Sequence, residues 1–228
     1  ADDTSGMGIT SSGVAMISSR LSYFLNFRGP TVATNTACSS SLVAFHQACV
    51  SLRTKESSLA LVGGAALLIS PQSYISMSQA GMLSPDGKCH TFAKEANGIA
   101  CGESVVVTVL KRLKDAQSDS DHIYGVVKAS GINFDGKTNG VTAPNGEAQA
   151  DLIRETYQQY SIDVDKIGYI VAHGTGTKLG DPVEVNALLS AFKDSTTKLN
   201  YCALSSNKTN LGHTLAASGL VSIVNLVC

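Results

Sequence analysis

No two of the six cysteines in this 228-residue chain stand in a CxxC pair, so the spacing of a zinc site is absent. The chain is also too large and too apolar to depend on a disulfide framework, which leaves reduced thiols in an intracellular protein as the simplest reading. No apolar run reaches the roughly 18 residues that a membrane helix requires. Lysine and arginine do not cluster, and a net charge of −1 gives nucleic acid little to bind. A GxSxG elbow is missing, which counts against a serine hydrolase. The pair Gly174-Thr175-Gly176 does not extend to GxGxxG, which counts against a dinucleotide site. The chain opens at Ala1 and not at Met, so signal-peptide logic does not apply to that end.

What is there describes a globular protein. Hydrophobic residues make up 43% and charged residues 15%, enough to bury a core in one large domain or two small ones. Residues 11–26 have helix-like spacing, ended by Arg28-Gly29-Pro30. The β-branched stretch 31–34 predicts a strand, and residues 39–52, opened by serines, predict a helix. Residues 59–69 predict a buried strand bent at Gly63-Gly64, and residues 104–110 a second strand. A polar stretch at 111–122 marks a boundary, dividing the chain into a unit 1–118 and a unit 119–228. The second unit repeats the pattern. Strands are expected at 123–132, 169–172 and 201–204, and helices at 148–160, at 182–192 (entered through Pro182) and from 215 onward. Alternating strands and helices imply an α/β protein with largely parallel sheets.

Three stretches carry chemistry, each expected at the C-terminal end of a strand, where open α/β sheets place their sites. In Asn35-Thr36-Ala37-Cys38-Ser39-Ser40-Ser41, the cysteine stands before a helix whose positive end would favour the thiolate, the nucleophilic form. A buried structural cysteine is the alternative. In Ala172-His173-Gly174-Thr175-Gly176-Thr177, followed by Gly180-Asp181-Pro182 and Glu184, glycines clear room for an imidazole to face a cleft; a tight turn with a hydrogen-bonded histidine is the alternative. The third stretch, Asn207-Lys208-Thr209-Asn210-Leu211-Gly212-His213, also reads as a surface loop when taken alone. Together the three offer one Cys, two His and one Lys. That set suits carbon–carbon chemistry on thioesters, with a thiolate to hold an acyl chain and two imidazoles to steady an enolate. His46, His90 and His122, and the cysteines at 49, 89, 101, 202 and 228, read as packing or surface residues.

TACSSSLVA, AHGTGTKLGDPVE and KTNLGH, in this order, resemble the three active-site motifs of β-ketoacyl synthase domains in modular polyketide synthases, with fatty-acid synthases close behind. RLSYFLNFRGPT, ALVGGA, LSPDGKCHTF, GESVVVTVLKRL and NFDGKTNGVTAPN extend the similarity along the whole chain. The resemblance implies a thiolase-like fold of two similar βαβ-rich halves, usually a homodimer inside a larger synthase. It makes Cys38 the acylated nucleophile, and His173 and His213 the pair that promotes malonyl decarboxylation. Lys208 and Glu184 become supporting residues, while Thr175, Thr177 and Asn210 become substrate-binding residues, the threonines on a phosphopantetheine arm. That arm arrives on an acyl carrier protein with malonyl or acyl thioesters, so no metal and no bound cofactor are expected. Glu103 matches a family glutamate and is expected to be structural.

The sequence departs from the commonest family pattern at Asn35, Ala93, Ser104, Val171 and Leu215, none of which removes the nucleophile or an imidazole. Asn97-Gly98 and TNGVTAPN lean toward synthases that use a separate acyltransferase. Two other functions fit the same residues: a non-elongating domain that only passes acyl chains, and a non-catalytic carrier-docking module. The family's domain has further strands on both sides of this sequence and a C-terminal glycine-rich loop, so the stretch alone is expected to leave sheet faces open and to be poorly soluble or inactive.

Overall fold

The structure, a computed structural model, describes residues 13–228. Ser11 and Ser12, the start of the first expected helix, lie outside the described residues. That helix, α1, spans Ala15–Phe24 and buries none of its residues. Helix α2 (Ser40–Arg53) follows the cysteine motif and buries Phe45, Cys49 and Leu52 along one face, at the spacing of successive turns. Strand β1 (Leu59–Ala66), helix α3 (Gln72–Gln79), strand β2 (Ser104–Lys111) and helix α4 (Leu113–Ser118) complete the first part.

In the second part, helix α5 (Gly146–Gln159) is entered through Asn145, whose side chain accepts the N–H groups of Glu147 and Ala148. This cap satisfies donors that a helix start leaves free. A 3₁₀ turn (Val164–Lys166), strand β3 (Tyr169–Val171), helix α6 (Gly180–Phe192), strand β4 (Ala203–Ser205) and the short helix α7 (Lys208–Leu211) come next. A 3₁₀ turn (Leu215–Ala217) leads into helix α8 (Ser218–Val227). No helix among the described residues is long and apolar enough to cross a membrane.

The sheets correct two expectations, the largely parallel pairing and the strands at 31–34 and 123–132. Strands β3 and β4 are parallel, but β1 and β2 pair antiparallel over their full length, with Val62 opposite Thr108 and Gly64 opposite Val106. The 37 residues between β1 and β2 bring the chain back along the sheet instead of crossing it, so the strands meet head to tail. Residues 31–34 and 123–132 form no ladder, since a strand requires a hydrogen-bonding neighbour and none lies beside them among the described residues.

One face of the β1–β2 sheet makes the main core. Phe45 and Cys49 of α2 meet Val62 and Leu220, with Val106, Leu110 and Ile223 packed around them. A second cluster joins α5 and α6 through Ala150, Ala187 and Ala191. The other face of the β1–β2 sheet is apolar and open: Leu61, Val105, Val107 and Val109 are exposed.

Gly64 is what brings the site together. A Cβ there would stand 3.2 Å from the Ser41 side chain and 3.1 Å from the Ala217 backbone. Its absence lets the start of α2, just past Cys38, and the turn just past His213 press against the same point of β1. The N–H of Leu220 then donates to the Ser41 hydroxyl at 3.2 Å, tying the entry of α8 to that of α2.

Candidate active site

Cys38 sits on a sharp elbow. Ala37 before it has φ +55°, a left-handed conformation that costs a non-glycine residue energy and persists only when its surroundings hold it. Here they do. The Asn35 side chain accepts from the Ala37 N–H at 3.3 Å, the Ser40 hydroxyl donates to the Ala37 carbonyl at 2.6 Å and accepts from the Thr36 N–H at 2.9 Å, and the Ser39 hydroxyl donates to the Thr36 carbonyl at 2.8 Å. The serines after the cysteine thus brace the elbow as well as open the helix.

The donor atoms of Cys38, His173 and His213 all lie within 4.8 Å of one another, though the sequence separates them by up to 175 positions. The two imidazole rings meet edge to face, with centroids 5.2 Å apart and planes at 85°. His213 is buried at 2% exposure, while His173 is crowded by neighbouring atoms but still meets solvent. The N–H of Leu215 donates to Nδ1 of His213 at 3.1 Å, which assigns the proton of the neutral ring to Nε2. His213 therefore offers an N–H donor rather than a lone pair, which suits an oxyanion better than a metal ion. Leu215 itself holds a left-handed φ of +42°.

Burial, then the neighbouring His173 and Lys208, lowers the His213 pKa to about 3. Burial, then the Lys208 charge, lowers His173 to about 4. Both rings are neutral near pH 7, and the fully enclosed His213 is the more firmly so. Cys38 differs from the expectation that its helix would make it a thiolate. Burial pushes its thiol above the ordinary 9.0, outweighing the opposing pull of Lys208 and of its own backbone N–H. The resting site is a neutral thiol among neutral imidazoles, and a proton must leave the sulfur as it attacks.

The supporting residues divide into those that touch the site and those that do not. The Glu184 carboxylate accepts from the N–H groups of His173, at 2.6 Å, and Gly174, at 2.8 Å, so it holds the histidine's backbone. It forms no direct ion pair with Lys208, which is 2% exposed. Burial lowers the Lys208 pKa, with Glu184 and then Cys38 pulling the other way. The Thr175 and Thr177 hydroxyls lie 3.2 Å apart, and Thr177 also accepts from the Gly180 N–H. Thr177 lines a cavity of about 410 Å³ with Phe92, Lys94, Lys178 and Asp181, whereas Cys38, His173 and His213 do not. Asn210 is exposed, with its side chain turned to Thr209, and is not brought to the three central groups. Glu103 accepts from the Leu68 N–H, joining the chain after β1 to the residue before β2. His90 pairs with Asp86 at 2.7 Å, and His46 meets the Ser130 hydroxyl at 3.1 Å.

Sequence reasoning missed Asp181. At 4% exposure its carboxylate accepts from the N–H groups of Phe92, at 2.7 Å, Gly176, at 3.1 Å, and Thr177, at 3.4 Å. It locks the turn after His173 to the segment 89–102 from the first part of the chain. The available signal was an acid one residue into a helix that follows a glycine-rich turn. The same segment holds His213: the His213 N–H donates to the Ala100 carbonyl at 2.7 Å, and the Gly102 N–H to the His213 carbonyl at 3.0 Å.

Comparison with known proteins agrees with this geometry. Residues 2–116 match the family model "Beta-ketoacyl synthase, N-terminal domain" and residues 124–228 match "Beta-ketoacyl synthase, C-terminal domain". The chain is 54% identical over 212 residues to polyketide synthase ThaG of Burkholderia thailandensis, covering 93% of this chain and 4% of that one. It is 51% identical over 214 residues to polyketide synthase PksL of Bacillus subtilis, covering 94% of this chain and 5% of that one. Among solved structures, the ketosynthase from module 6 of the bacillaene synthase of Bacillus subtilis superposes with a TM-score of 0.93 at 51% identity, over 94% of this chain and 38% of that one. The ketosynthase domain OzmH KS7 of Streptomyces albus gives the same TM-score at 35% identity, over 95% and 37%. The chain thus spans a small fraction of its curated relatives and under two fifths of these solved ketosynthases. Its fold is the thiolase-like α/β fold of these neighbours.

Proposed function

The chain belongs to the β-ketoacyl synthase family, and from that premise we propose that it carries the condensing site of a polyketide synthase. The observation that carries this reading is the convergence of the Cys38, His173 and His213 donor atoms within 4.8 Å.

In the first half-reaction the Cys38 sulfur attacks the carbonyl of an acyl thioester. The carbon–sulfur bond to the carrier breaks, and the proton released by the thiol leaves with the carrier's sulfur. In the second, a malonyl thioester loses carbon dioxide, and the electron pair of that bond becomes an enolate. Nε2–H of His213 donates to the enolate oxygen, and His173 stands beside it as the second imidazole; neutral rings give this oxygen hydrogen bonds without first surrendering a proton. The enolate carbon then attacks the acyl carbonyl on Cys38, the bond to the cysteine sulfur breaks, and the departing thiolate takes up a proton from solvent water. The product is a β-ketoacyl thioester two carbons longer.

On this reading Thr175 and Thr177 hold the phosphopantetheine arm of an acyl carrier protein, Glu184 and Lys208 support the histidines, a homodimer is the working assembly, and no metal takes part. The test is to incubate the full-length protein, not the 228-residue stretch alone, with an acyl thioester and malonyl carrier and to weigh the carrier-bound product. A product extended by two carbons with release of carbon dioxide supports condensation. Acyl exchange without extension overturns it in favour of a non-elongating domain, and no covalent acyl-enzyme at all favours a docking module.

A further inference from the structure

We propose that Thr91 is a positioning residue for His173, its hydroxyl forming with that of Ser206 a clamp on the peptide that follows the imidazole. The proposal rests on the condensing reading above, because it concerns the same site. Neither hydroxyl belongs to the residues that the three motifs assign to chemistry, and neither touches Cys38.

Thr91 Oγ1 donates to the Gly174 carbonyl at 2.7 Å. Ser206 Oγ also reaches the same carbonyl at 3.1 Å and the His173 carbonyl at 3.3 Å, while accepting from the Lys208 N–H at 3.3 Å. With the Glu184 carboxylate on the N–H groups of His173 and Gly174, each backbone polar atom of this dipeptide has a partner. The clamp also closes sterically. Gly174 has φ +43°, and a Cβ on it would stand 2.5 Å from the Thr91 methyl and 2.8 Å from the Ser206 Cβ. Only glycine therefore fits between the two side chains at this position, and rotation of the backbone that carries His173 breaks the Thr91 hydrogen bond.

What raises this above ordinary loop packing is the origin of Thr91. It lies in the segment 89–102, whose far end pairs with the backbone of His213 through Ala100 and Gly102. One stretch of the first part of the chain thus holds both imidazoles, gripping His173 through Thr91 and His213 through its own backbone. Thr91 sets the spacing of the two rings. Acyl transfer depends chiefly on the Cys38 elbow, whereas decarboxylation requires both rings on one oxygen, so a slackened clamp penalises the second half-reaction selectively.

The experiment compares the full chain with Thr91→Val, which keeps the branched shape and removes the donor, and with Thr91→Ser, which keeps the donor. Acylation of Cys38 is followed by intact mass, and carbon dioxide release from malonyl carrier is measured separately. Thr91→Val is expected to lower kcat for carbon dioxide release about 10-fold, the scale of loss when a catalytic group is displaced by a fraction of an ångström, with KM for malonyl carrier and the acylation rate within about 2-fold. Thr91→Ser is expected to retain the parent rate. Unchanged carbon dioxide release in Thr91→Val, or an equal loss in both half-reactions that follows a fall in melting temperature, overturns the proposal. A full-length parent protein that acylates Cys38 but releases no carbon dioxide overturns the condensing reading itself, and this one with it. If Thr91→Val does not fold, Ser206→Ala carries the same expectation at the same carbonyl.

Discussion

The hydroxyl of Ser218 donates to the carbonyl of Cys38 at 3.1 Å, joining residues 180 positions apart. This bond fastens the first turn of α8, and through it the segment that carries His213, to the cysteine elbow. Ser218→Ala removes it and leaves a partly buried carbonyl without that donor. A loss of about 1 kcal/mol is expected in denaturant unfolding, the usual net worth of one such bond. Acylation of Cys38 is expected to slow, since the strained Ala37 conformation loses one of its external supports.

Acid acts on stability through the two histidines. Their folded pKa values, about 4 for His173 and about 3 for His213, both lie below the ordinary 6.5. As pH falls below 6.5 the unfolded chain takes up protons that the folded site refuses, so stability is full above pH 6.5 and is lost toward pH 3 to 4. Melting temperature measured from pH 7.5 to 4 is expected to decline, and to decline less in His213→Gln, which has no proton to take up. An equal slope in both proteins contradicts the assignment.

Cys38 titrates in the opposite quarter. Because burial raises its thiol above 9.0, its alkylation by iodoacetamide is expected to keep accelerating past the pH at which a free cysteine levels off. Lys208→Met, which removes a cation that favours the thiolate, is expected to move that rise to still higher pH.

Glu184→Ala leaves the N–H groups of His173 and Gly174 without their acceptor. A destabilisation of about 2 kcal/mol is expected, within the range for stranded donors. Carbon dioxide release is expected to fall more than acylation. Glu184→Gln, which keeps one acceptor oxygen, is expected to lie between the two.

Among the described residues, two buried side-chain oxygens lack a hydrogen-bond partner, Asn97 Oδ1 and Thr108 Oγ1, and the second lies in the main core. The Thr108 hydroxyl is sealed from solvent without a hydrogen-bond partner, on the face of β2 that packs with Val106 and Leu110 against the main core. Thr108→Val replaces it with a methyl of similar size and is expected to stabilise the fold by about 1 kcal/mol. A higher denaturation midpoint checks this, and a lower one contradicts the packing described.

Much of this was legible in the residues. Helices α2, α5 and α6 and strands β1, β2 and β3 fall within a few positions of where periodicity and caps put them, because each carries its own local signal. The stretches 31–34 and 123–132 have strand-like residues but no ladder, since pairing depends on a neighbour that propensity does not report. The antiparallel match of β1 with β2 was hidden for a related reason: strand direction follows from the path of the connecting chain, and 67–103 contains only one helix, α3. At the site, Cys38, His173, His213 and Glu184 were readable from their motifs. Asp181, Thr91 and Ser206 were not, because their role is to bond backbone atoms of residues far away in sequence, and no spacing rule encodes that. The state of Cys38 was misread, since a helix start is visible in sequence and the burial that opposes it is not.

The most direct test is peptide mapping of the full chain after incubation with an isotopically labelled acyl thioester. The label is expected on the peptide containing Cys38 and on no other, and is expected to be absent from Cys38→Ala. Label on Cys89 or Cys101, or label that persists in Cys38→Ala, would contradict the account at its centre.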